Sequence, residues 1–196
     1  MENREVLKMV LKELEYAQES VNQMASAVTM DAYEKAWKDC LGYLITSRNK
    51  CLNALKGNPR AQRYLDQMTH DLRSDGLISY VLHARNCNQH SIRQIVETKG
   101  SHTTVTGGEG GGTIVRGSIS GDKQPESLVT TGNLIVKFTP ARLEVIAVID
   151  SDREYQPPSD HLGKRIETRI PHELAQMALQ YFSNRIESAF SAVQRA

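Results

Sequence analysis

Helical periodicity is the feature that most constrains this chain, because apolar residues recur every three or four positions through most of its first hundred residues. The first such repeat is carried by Val6, Val10, Leu14, Ala17, Val21 and Met24. This spacing puts the apolar side chains on one face of an α-helix, which is stable in water mainly when that face is buried. The repeat therefore predicts an amphipathic helix that ends near Val28, with Asp31 as the cap of a second helix.

Three further helices follow from the same pattern. The second helix carries the apolar stripe Tyr33, Trp37, Leu41, Leu44, Ile45, Cys51, Leu52 and Leu55. Gly57-Asn58-Pro59 ends this helix, and Ser74-Asp75-Gly76 ends a shorter third helix. A fourth stripe runs through Ile78, Val81, Leu82, Ile92, Ile95 and Val96. Short connections favour antiparallel packing of consecutive helices, so we expect an up-and-down bundle with Trp37 in its core.

After Gly100 the composition changes, since threonine, glycine and β-branched residues replace the helical repeat. This composition is typical of β-strands, and we predict strands at residues 101–106, 113–119, 134–138 and 143–149. We expect the glycine run 107–112 to form a hairpin tip and the last two strands to form a hairpin or meander. The glycine run lacks the Gly-Lys-Ser/Thr ending of a phosphate-binding loop. Residues 155–169 are predicted to be irregular, and they include two adjacent prolines.

A final helix is predicted from Pro171, a residue suited to the first position of a helix, with Glu173 favourably placed in the first turn. Its apolar stripe comprises Leu174, Met177, Ala178, Tyr181, Phe182, Ala189, Phe190 and Val193. The whole pattern predicts a single, mainly helical α+β domain over residues 1–196. Residues 1–100 form its helical bundle, residues 101–170 insert a small antiparallel β-sheet, and the helix over 171–196 packs back on the bundle.

Charge and cysteine content restrict where the chain works and what it binds. The formal net charge is +1, which gives no overall field to attract RNA or DNA, so nucleic-acid binding would depend on a local basic patch. The three cysteines are odd in number and without Cys-x-x-Cys spacing, which predicts reduced thiols. The sequence starts without an apolar signal core, and no run approaches the roughly 20 apolar residues that span a bilayer. We therefore expect a cytoplasmic protein without membrane partners.

Several catalytic chemistries lack their motifs in this sequence. None of the six histidines belongs to a His-Glu-x-x-His motif or to a cysteine/histidine cluster. A Gly-x-Ser-x-Gly elbow, which would position a nucleophilic serine, is also missing. We therefore expect no metal, no cofactor and no serine-hydrolase activity.

Polar residues interrupt the fourth apolar stripe after Leu82. Arg85 lies about one helical turn further on, where a core residue is expected, while His83, Asn86 and His90 are three and four residues apart on a neighbouring face. Five residues turn a helix by about 500°, which leaves Arg85 and His90 roughly 140° apart. Either the two side chains serve different surfaces, or the helix is irregular here, or a second chain supplies the other half of a site.

The motif Arg85-Asn86-Cys87-Asn88-Gln89-His90 resembles that of the HEPN superfamily, whose members are helical bundles marked by an arginine, four to six intervening residues and a histidine. In that family a polar residue often follows the arginine directly, as Asn86 does here. The resemblance concerns the helical part of the chain, up to about Gly100 and at most the last helix in addition. It implies metal-independent endoribonuclease activity in a homodimer, in which two motifs form one site.

The chemistry of these side chains suits RNA cleavage. A histidine with a near-neutral pKa can move the proton of a ribose 2′-hydroxyl or of the leaving 5′-oxygen. An arginine can hold the phosphate while charge builds on it. We therefore assign catalysis to Arg85 and His90, with Asn86 assisting by orienting the imidazole or a phosphate oxygen.

RNA-binding residues are expected at two places. His83 precedes the motif on the same helix, and Lys164, Arg165 and Arg169 form a basic cluster that can meet a phosphate backbone. The alternative for the basic cluster is a set of solvated charges that binds nothing.

Other functions are compatible with the same residues. Arg85 can be structural, paired with an acid such as Asp71 or Asp75, which would leave His90 exposed and without a catalytic role. The chain would then be a non-catalytic HEPN-like module that binds an antitoxin-like or other protein partner. The strand region offers a further surface for a protein or a small ligand.

Overall fold

The computed structural model describes residues 3–107 and 134–194. The helices in this part of the chain are α1 (Asn3–Ser26), α2 (Met30–Leu55), α3 (Gln62–Ser74), α4 (Gly76–His90) and α5 (Pro171–Gln194). The strands are β1 (Val96–Lys99), β2 (His102–Gly107), β3 (Leu134–Thr139), β4 (Arg142–Val145), β5 (Val148–Asp150), β6 (Arg153–Tyr155), β7 (Asp160–His161) and β8 (Lys164–Arg165). They pair two by two, as β1 with β4, β2 with β3, β5 with β6, and β7 with β8. The mainly helical α+β class predicted from the sequence is confirmed.

Two compact units make up the described chain. One unit comprises residues 3–98 and 143–194 and therefore holds all five helices and strands β5 to β8. The other comprises residues 99–107 and 134–142, in which β2 and β3 pair antiparallel over their whole length. The glycine run after Gly107 and the strand predicted at 113–119 lie outside the described residues.

The helices bury one continuous hydrophobic core. Helix α1 packs along α2, and α5 packs against both. Trp37 is fully buried, as expected, and so are Leu174 and Phe182 from the predicted stripe of α5, which begins at Pro171. Each buried leucine or phenylalanine side chain stabilises the fold by roughly 1.5–3 kcal/mol. None of the five helices combines the length and the apolar character needed to cross a membrane.

The start of α2 differs in detail from the prediction. Thr29, not Asp31, is the cap, and its hydroxyl oxygen accepts a hydrogen bond from the backbone N–H of Ala32 at 3.1 Å. Thr29 has the extended backbone that a cap needs, whereas Asp31 already lies in the first turn, where a negative charge is favourable. The preceding helix ends at Ser26, slightly before its predicted end near Val28.

Helix α4 ends earlier than its apolar stripe suggested. His90 is its last residue, and Ser91 then takes an extended backbone while its hydroxyl donates to the carbonyl oxygen of Cys87 at 2.8 Å. The interpretation of Ile92 as part of a buried helical stripe is wrong, because its side chain is fully exposed. Val96 is buried, as expected of the stripe, but it lies in strand β1.

The strand pairing corrects two predictions. The hairpin or meander expected of residues 134–138 and 143–149 does not form, because β3 pairs with β2 while β4 pairs with β1. The second of these segments is itself divided into β4 and β5. Residues 155–169 are more regular than predicted, since β7 and β8 form a hairpin whose turn residues, Leu162 and Gly163, have φ values of 51° and 74°. Positive φ at both positions is typical of tight two-residue hairpin turns.

Candidate functional site

Helix α4 and the β5–β6 hairpin bring polar and aromatic side chains together. His83 and Asn86 lie about one turn apart on α4 and therefore share one side of the helix. Asp150, at the end of β5, accepts hydrogen bonds from both, since its Oδ2 lies 2.8 Å from His83 Nδ1 and 2.9 Å from Asn86 Nδ2. The partner strand β6 contributes Tyr155. We call His83, Arg85, Asn86, Asp150 and Tyr155 the α4 cluster.

The imidazole of His83 is held on two sides. Its ring stacks on that of Tyr155, with ring centroids 3.4 Å apart and planes inclined by 14°. Because an ionised carboxylate only accepts hydrogen bonds, Nδ1 carries the proton that is donated to Asp150, and a neutral ring then has a free lone pair on Nε2. Nε2 makes no hydrogen bond to the residues that the structure describes, and the side chain of His83 is partly exposed.

Hydrogen bonding keeps Asp150 ionised. Burial alone would raise the pKa of this carboxyl group, but hydrogen bonds from His83, Asn86 and Ser151 stabilise the anion. The balance holds the pKa of Asp150 below its ordinary value. At neutral pH the α4 cluster therefore contains a carboxylate whose charge orients both the imidazole and the amide.

Arg85 joins this cluster through Asn86. Its Nη1 donates to Asn86 Oδ1 at 3.2 Å, and since Asn86 donates in turn to Asp150, a chain of hydrogen bonds connects Arg85 to His83. Neighbouring helical residues point about 100° apart, so this bond draws the guanidinium around the helix toward the side of His83. The Nε of Arg85 is buried and has no hydrogen-bond partner among the described residues.

Arg85 does not pair with Asp71 or Asp75. The two acids suggested as partners of a structural Arg85 are therefore wrong. Asp71 instead accepts a hydrogen bond from the Tyr181 hydroxyl at 2.7 Å and another from Arg185 Nη2 at 3.2 Å. These bonds fasten α3 to α5 and leave the carboxylate engaged away from α4.

His90 lies outside the α4 cluster. It is the last residue of α4, its side chain is exposed, and it has no hydrogen bond or ion pair with any residue in the described ranges. Helix α4 is α-helical up to His90, so an irregular helix does not bring this side chain to Arg85. On a regular helix residues 85 and 90 are about 140° apart around the axis, and no hydrogen bond joins their side chains within the chain. They serve different surfaces of one chain, or they meet only between two chains.

The basic residues Lys164, Arg165 and Arg169 do not join the α4 cluster either. All three are exposed, the first two on strand β8. Arg165 Nε lies 3.8 Å from the carboxylate of Glu167, but both side chains are more than four-fifths exposed, at 84% and 81%. An ion pair in such a position contributes little stability. All three side chains are therefore solvated on this chain.

A polar cavity adjoins the last turn of α4. It has a volume of about 330 Å³ and is lined by Glu13, Lys38, Asp39, Gly42, Tyr43, Thr46, Asn88 and Gln89. Asn88 and Gln89 belong to the Arg-x4-His motif, while the other lining residues come from α1 and α2. Cavities that hold small organic ligands are commonly about 300–1,000 Å³, so this one is large enough for a nucleobase.

A second aspartate–histidine pair lies at the other end of α4. Asp75 caps the helix by accepting from the N–H of Ile78 at 2.9 Å, and it also accepts from His161 Nδ1 at 3.0 Å and from the N–H of Leu162 at 2.7 Å. Burial on its own would raise the pKa of Asp75, but these bonds outweigh it and lower the pKa. His161 also lines an open groove of about 530 Å³ together with Tyr181 and other residues of α5.

Sequence reasoning missed two members of the α4 cluster, Asp150 and Tyr155. Asp150 directly follows the predicted strand 143–149, and a carboxylate at the end of a strand was the only local signal. Asp150 lies 67 positions from His83 along the chain. Its contact with α4 therefore depends on where the β5–β6 hairpin packs, which local sequence does not specify. The sequence likewise contains no local signal that His161 pairs with Asp75.

No metal-binding arrangement occurs in the α4 cluster or elsewhere in residues 3–107 and 134–194, where no three histidine, cysteine, aspartate or glutamate side chains are grouped to hold an ion. In comparisons with known proteins, no family model, no curated protein and no solved structure matches this chain. The function is therefore inferred from the residues of the site and their geometry.

Proposed function

We propose that this chain is a HEPN-like endoribonuclease that cleaves RNA without a metal ion, as a homodimer in which Arg85 and Asn86 of one subunit face His90 of the partner subunit. The observation that carries the proposal is that the two ends of the Arg-x4-His motif have different surroundings. Arg85 is fixed in a chain of hydrogen bonds, whereas His90 is exposed at the helix end and has no partner among the described residues. A two-fold axis near the end of α4 would bring the halves of two motifs together.

The placement of Arg85 supports a functional role for its charge. A buried donor without a partner costs about 1–3 kcal/mol, and the Nε of Arg85 has no partner in residues 3–107 and 134–194. A leucine in the same stripe would avoid that cost, so stability alone does not account for the arginine. Local departures from a well-satisfied core are typical of functional sites.

The groups of the site match the charges that develop during RNA cleavage. The guanidinium of Arg85 can hold the phosphate through its N–H groups and stabilise the negative charge that builds on it. His90, whose side chain is exposed at the end of α4, can transfer a proton at the scissile bond. Asn86 is held between Arg85 and Asp150 and keeps the guanidinium on the side of the helix that carries His83.

Cleavage of RNA by Arg85→Ala and His90→Ala variants tests the proposal. Each variant should lose at least about a hundredfold in rate, the usual effect of removing a charge-stabilising or proton-transferring group. Arg73→Ala and His70→Ala are matched controls, because they remove the same side chains from exposed positions on α3. Both controls should cleave like the parent chain. Equal cleavage by parent, Arg85→Ala and His90→Ala would show that the site is assigned wrongly.

Mixing the two inactive variants tests whether the site is shared between subunits. A heterodimer of Arg85→Ala and His90→Ala chains contains one site with both residues intact and one site with neither. Equal mixing makes about half of the dimers mixed, so activity should return to roughly a quarter of the parental level. A mixture that stays inactive would contradict the shared site.

The second candidate is a non-catalytic HEPN-like module that binds an antitoxin-like or other protein partner. The net charge of +1 favours it, because proteins that bind RNA generally present an excess of positive charge to the phosphate backbone. Failure of the parent chain to cleave single-stranded, hairpin and transfer RNA alike would favour this candidate over the nuclease.

A further inference from the structure

We propose that His83, oriented by Asp150, is the general base of the same site and takes the proton of the RNA 2′-hydroxyl, while His90 of the partner subunit acts as the general acid. The inference rests on the proposed endoribonuclease function. It assigns one of the two proton transfers to a residue outside the Arg-x4-His motif.

Metal-independent cleavage by the 2′-hydroxyl requires two proton transfers. The O2′–P bond forms as the P–O5′ bond breaks, so the 2′-hydroxyl loses a proton and the leaving 5′-oxygen gains one. The products are a 2′,3′-cyclic phosphate and a 5′-hydroxyl, and the number of protons is unchanged. One histidine cannot be unprotonated for the first transfer and protonated for the second at the same moment, so a second group is needed.

His83 has a hydrogen-bond partner on Nδ1 and surroundings that suit a general base. Donation from Nδ1 to Asp150 leaves Nε2 of the neutral ring unprotonated and able to accept the 2′-proton. As the imidazole gains that proton, the carboxylate 2.8 Å away stabilises the new positive charge. Stacking on Tyr155 restricts rotation of the ring. The side chain of His83 remains 18% exposed, so a substrate can reach it.

Asn86 connects the base to the phosphate-binding group. Its Nδ2 donates to Asp150 and its Oδ1 accepts from Arg85, so both ends of the amide are engaged and its orientation is fixed. The guanidinium that would hold the phosphate is thereby anchored to the carboxylate that orients His83. In RNA the attacking 2′-hydroxyl is adjacent to the phosphate that it attacks. A base and a phosphate-binding group on one side of the same helix fit that arrangement.

The alternative is a purely structural role, in which His83 only fastens α4 to β5. A comparison of two RNA substrates distinguishes this role from that of a general base. The substrate is a short RNA that the parent chain cleaves, prepared in two forms. One form has oxygen at the bridging 5′ position of the cleaved bond, and the other has sulfur there. A thiolate leaves without being protonated, so the sulfur form needs a general base but no general acid.

His83→Asn is the informative variant, because its side-chain amide N–H lies near the position of Nδ1 and can still donate to Asp150. We expect it to cleave both substrate forms about 10²–10⁴-fold more slowly than the parent chain. His90→Ala should be equally slow on the oxygen form but return to within about tenfold of the parent on the sulfur form. Asp150→Asn should slow the cleavage of both forms, because the tautomer of His83 is no longer fixed.

Thermal unfolding confirms that each variant is folded, and His83→Gln gives the same comparison if His83→Asn is unstable. Parental rates for the folded His83 variant on both forms would overturn the role of His83 and leave the endoribonuclease proposal intact. Rescue of that variant by the sulfur form would make His83 an acid and overturn its assignment as base. If the parent chain cleaves neither form of any RNA, the endoribonuclease proposal fails, and the role of His83 fails with it.

Discussion

Among single residues, Asp75 links distant parts of the chain most directly. Its carboxylate caps α4 through the N–H of Ile78 and holds the β7–β8 turn through His161 and the N–H of Leu162. Only 6% of its side chain is exposed, so water cannot easily replace these bonds when the charge is removed. One ionised side chain therefore stabilises both a helix end and a hairpin turn.

Asp75→Asn should destabilise the fold near neutral pH by about 1–3 kcal/mol, because a charged acceptor of several hydrogen bonds is lost. The pKa of Asp75 is lower in the folded chain than its ordinary value of 3.8, so the folded state binds this proton less tightly than the unfolded state. The stabilisation is therefore present above the ordinary pKa and is lost as the pH falls through the folded pKa.

Thermal unfolding of Asp75→Asn and of the parent chain between pH 7 and about pH 3 measures this effect. The difference in Tm should be largest near neutral pH and should shrink in acid. Glu15→Gln, at an exposed position of α1, is the control and should change Tm little at any pH. A difference between Asp75→Asn and the parent that stays constant over the whole range would show that the charge of Asp75 is unimportant.

At the scale of elements, α4 and the β7–β8 hairpin approach so closely that a side chain does not fit between them. A Cβ added at Gly76 would lie 2.8 Å from Asp160 Oδ2 and 2.9 Å from the carbonyl oxygen of Asp160. The carbonyl group belongs to the backbone of β7 and cannot move aside without shifting the hairpin. The close approach of α4 and the β7–β8 hairpin is thus possible because Gly76 has no side chain.

Gly76→Ala should lower the free energy of unfolding by about 1–3 kcal/mol, since the added methyl group forces the hairpin away from α4. Gly42→Ala is a matched control inside α2, where an added Cβ meets no atom within 4 Å. Alanine favours helices over glycine, so this control should be neutral or more stable by up to about 1 kcal/mol. Urea denaturation measures the free energy of unfolding of both variants. Equal changes in Gly76→Ala and Gly42→Ala would show that Gly76 is not in close contact with the hairpin.

The helices could be predicted from the sequence because each one carries its own apolar periodicity and its own stop signals. Strand pairing could not, since β3 pairs with β2 and β4 with β1 through contacts between distant segments that local patterns do not specify. The residues of the α4 cluster also fall into those that local sequence indicates and those that it does not. Arg85 stands out as a polar residue in an apolar stripe, and Asn86 follows it directly in the Arg-x4-His motif. Asp150 and Tyr155 join these residues only through packing.

At the scale of the whole molecule, the proposed site depends on whether two chains associate at the end of α4. Ile92, two residues after His90, is fully exposed. An apolar side chain in this position is one that a two-fold interface beside His90 would cover, and the core of such an interface is usually apolar.

If the proposed dimer forms, Ile92→Glu should turn it into a monomer and reduce the proposed RNA cleavage at least about tenfold, although Arg85 and His90 are unchanged. Val28→Glu places the same charge on another exposed apolar residue, 97% exposed between α1 and α2, and should affect neither property. Sedimentation or light scattering gives the mass, and the cleavage assay gives the rate on the same samples. A parent chain that cleaves RNA as a monomer would contradict the dimeric site.

The two aspartate–histidine pairs of α4 also bear on the order in which the chain folds. His83 and Asp150 are 67 positions apart, and Asp75 and His161 are 86 positions apart. Bringing such distant residues together costs loop entropy, and each halving of the intervening chain would reduce that cost by about 0.6 kcal/mol. During synthesis α4 emerges well before the strands that carry its partners. The hydrogen bonds from α4 to Asp150 and from Asp75 to His161 therefore cannot form until β5 and β7 have been synthesised.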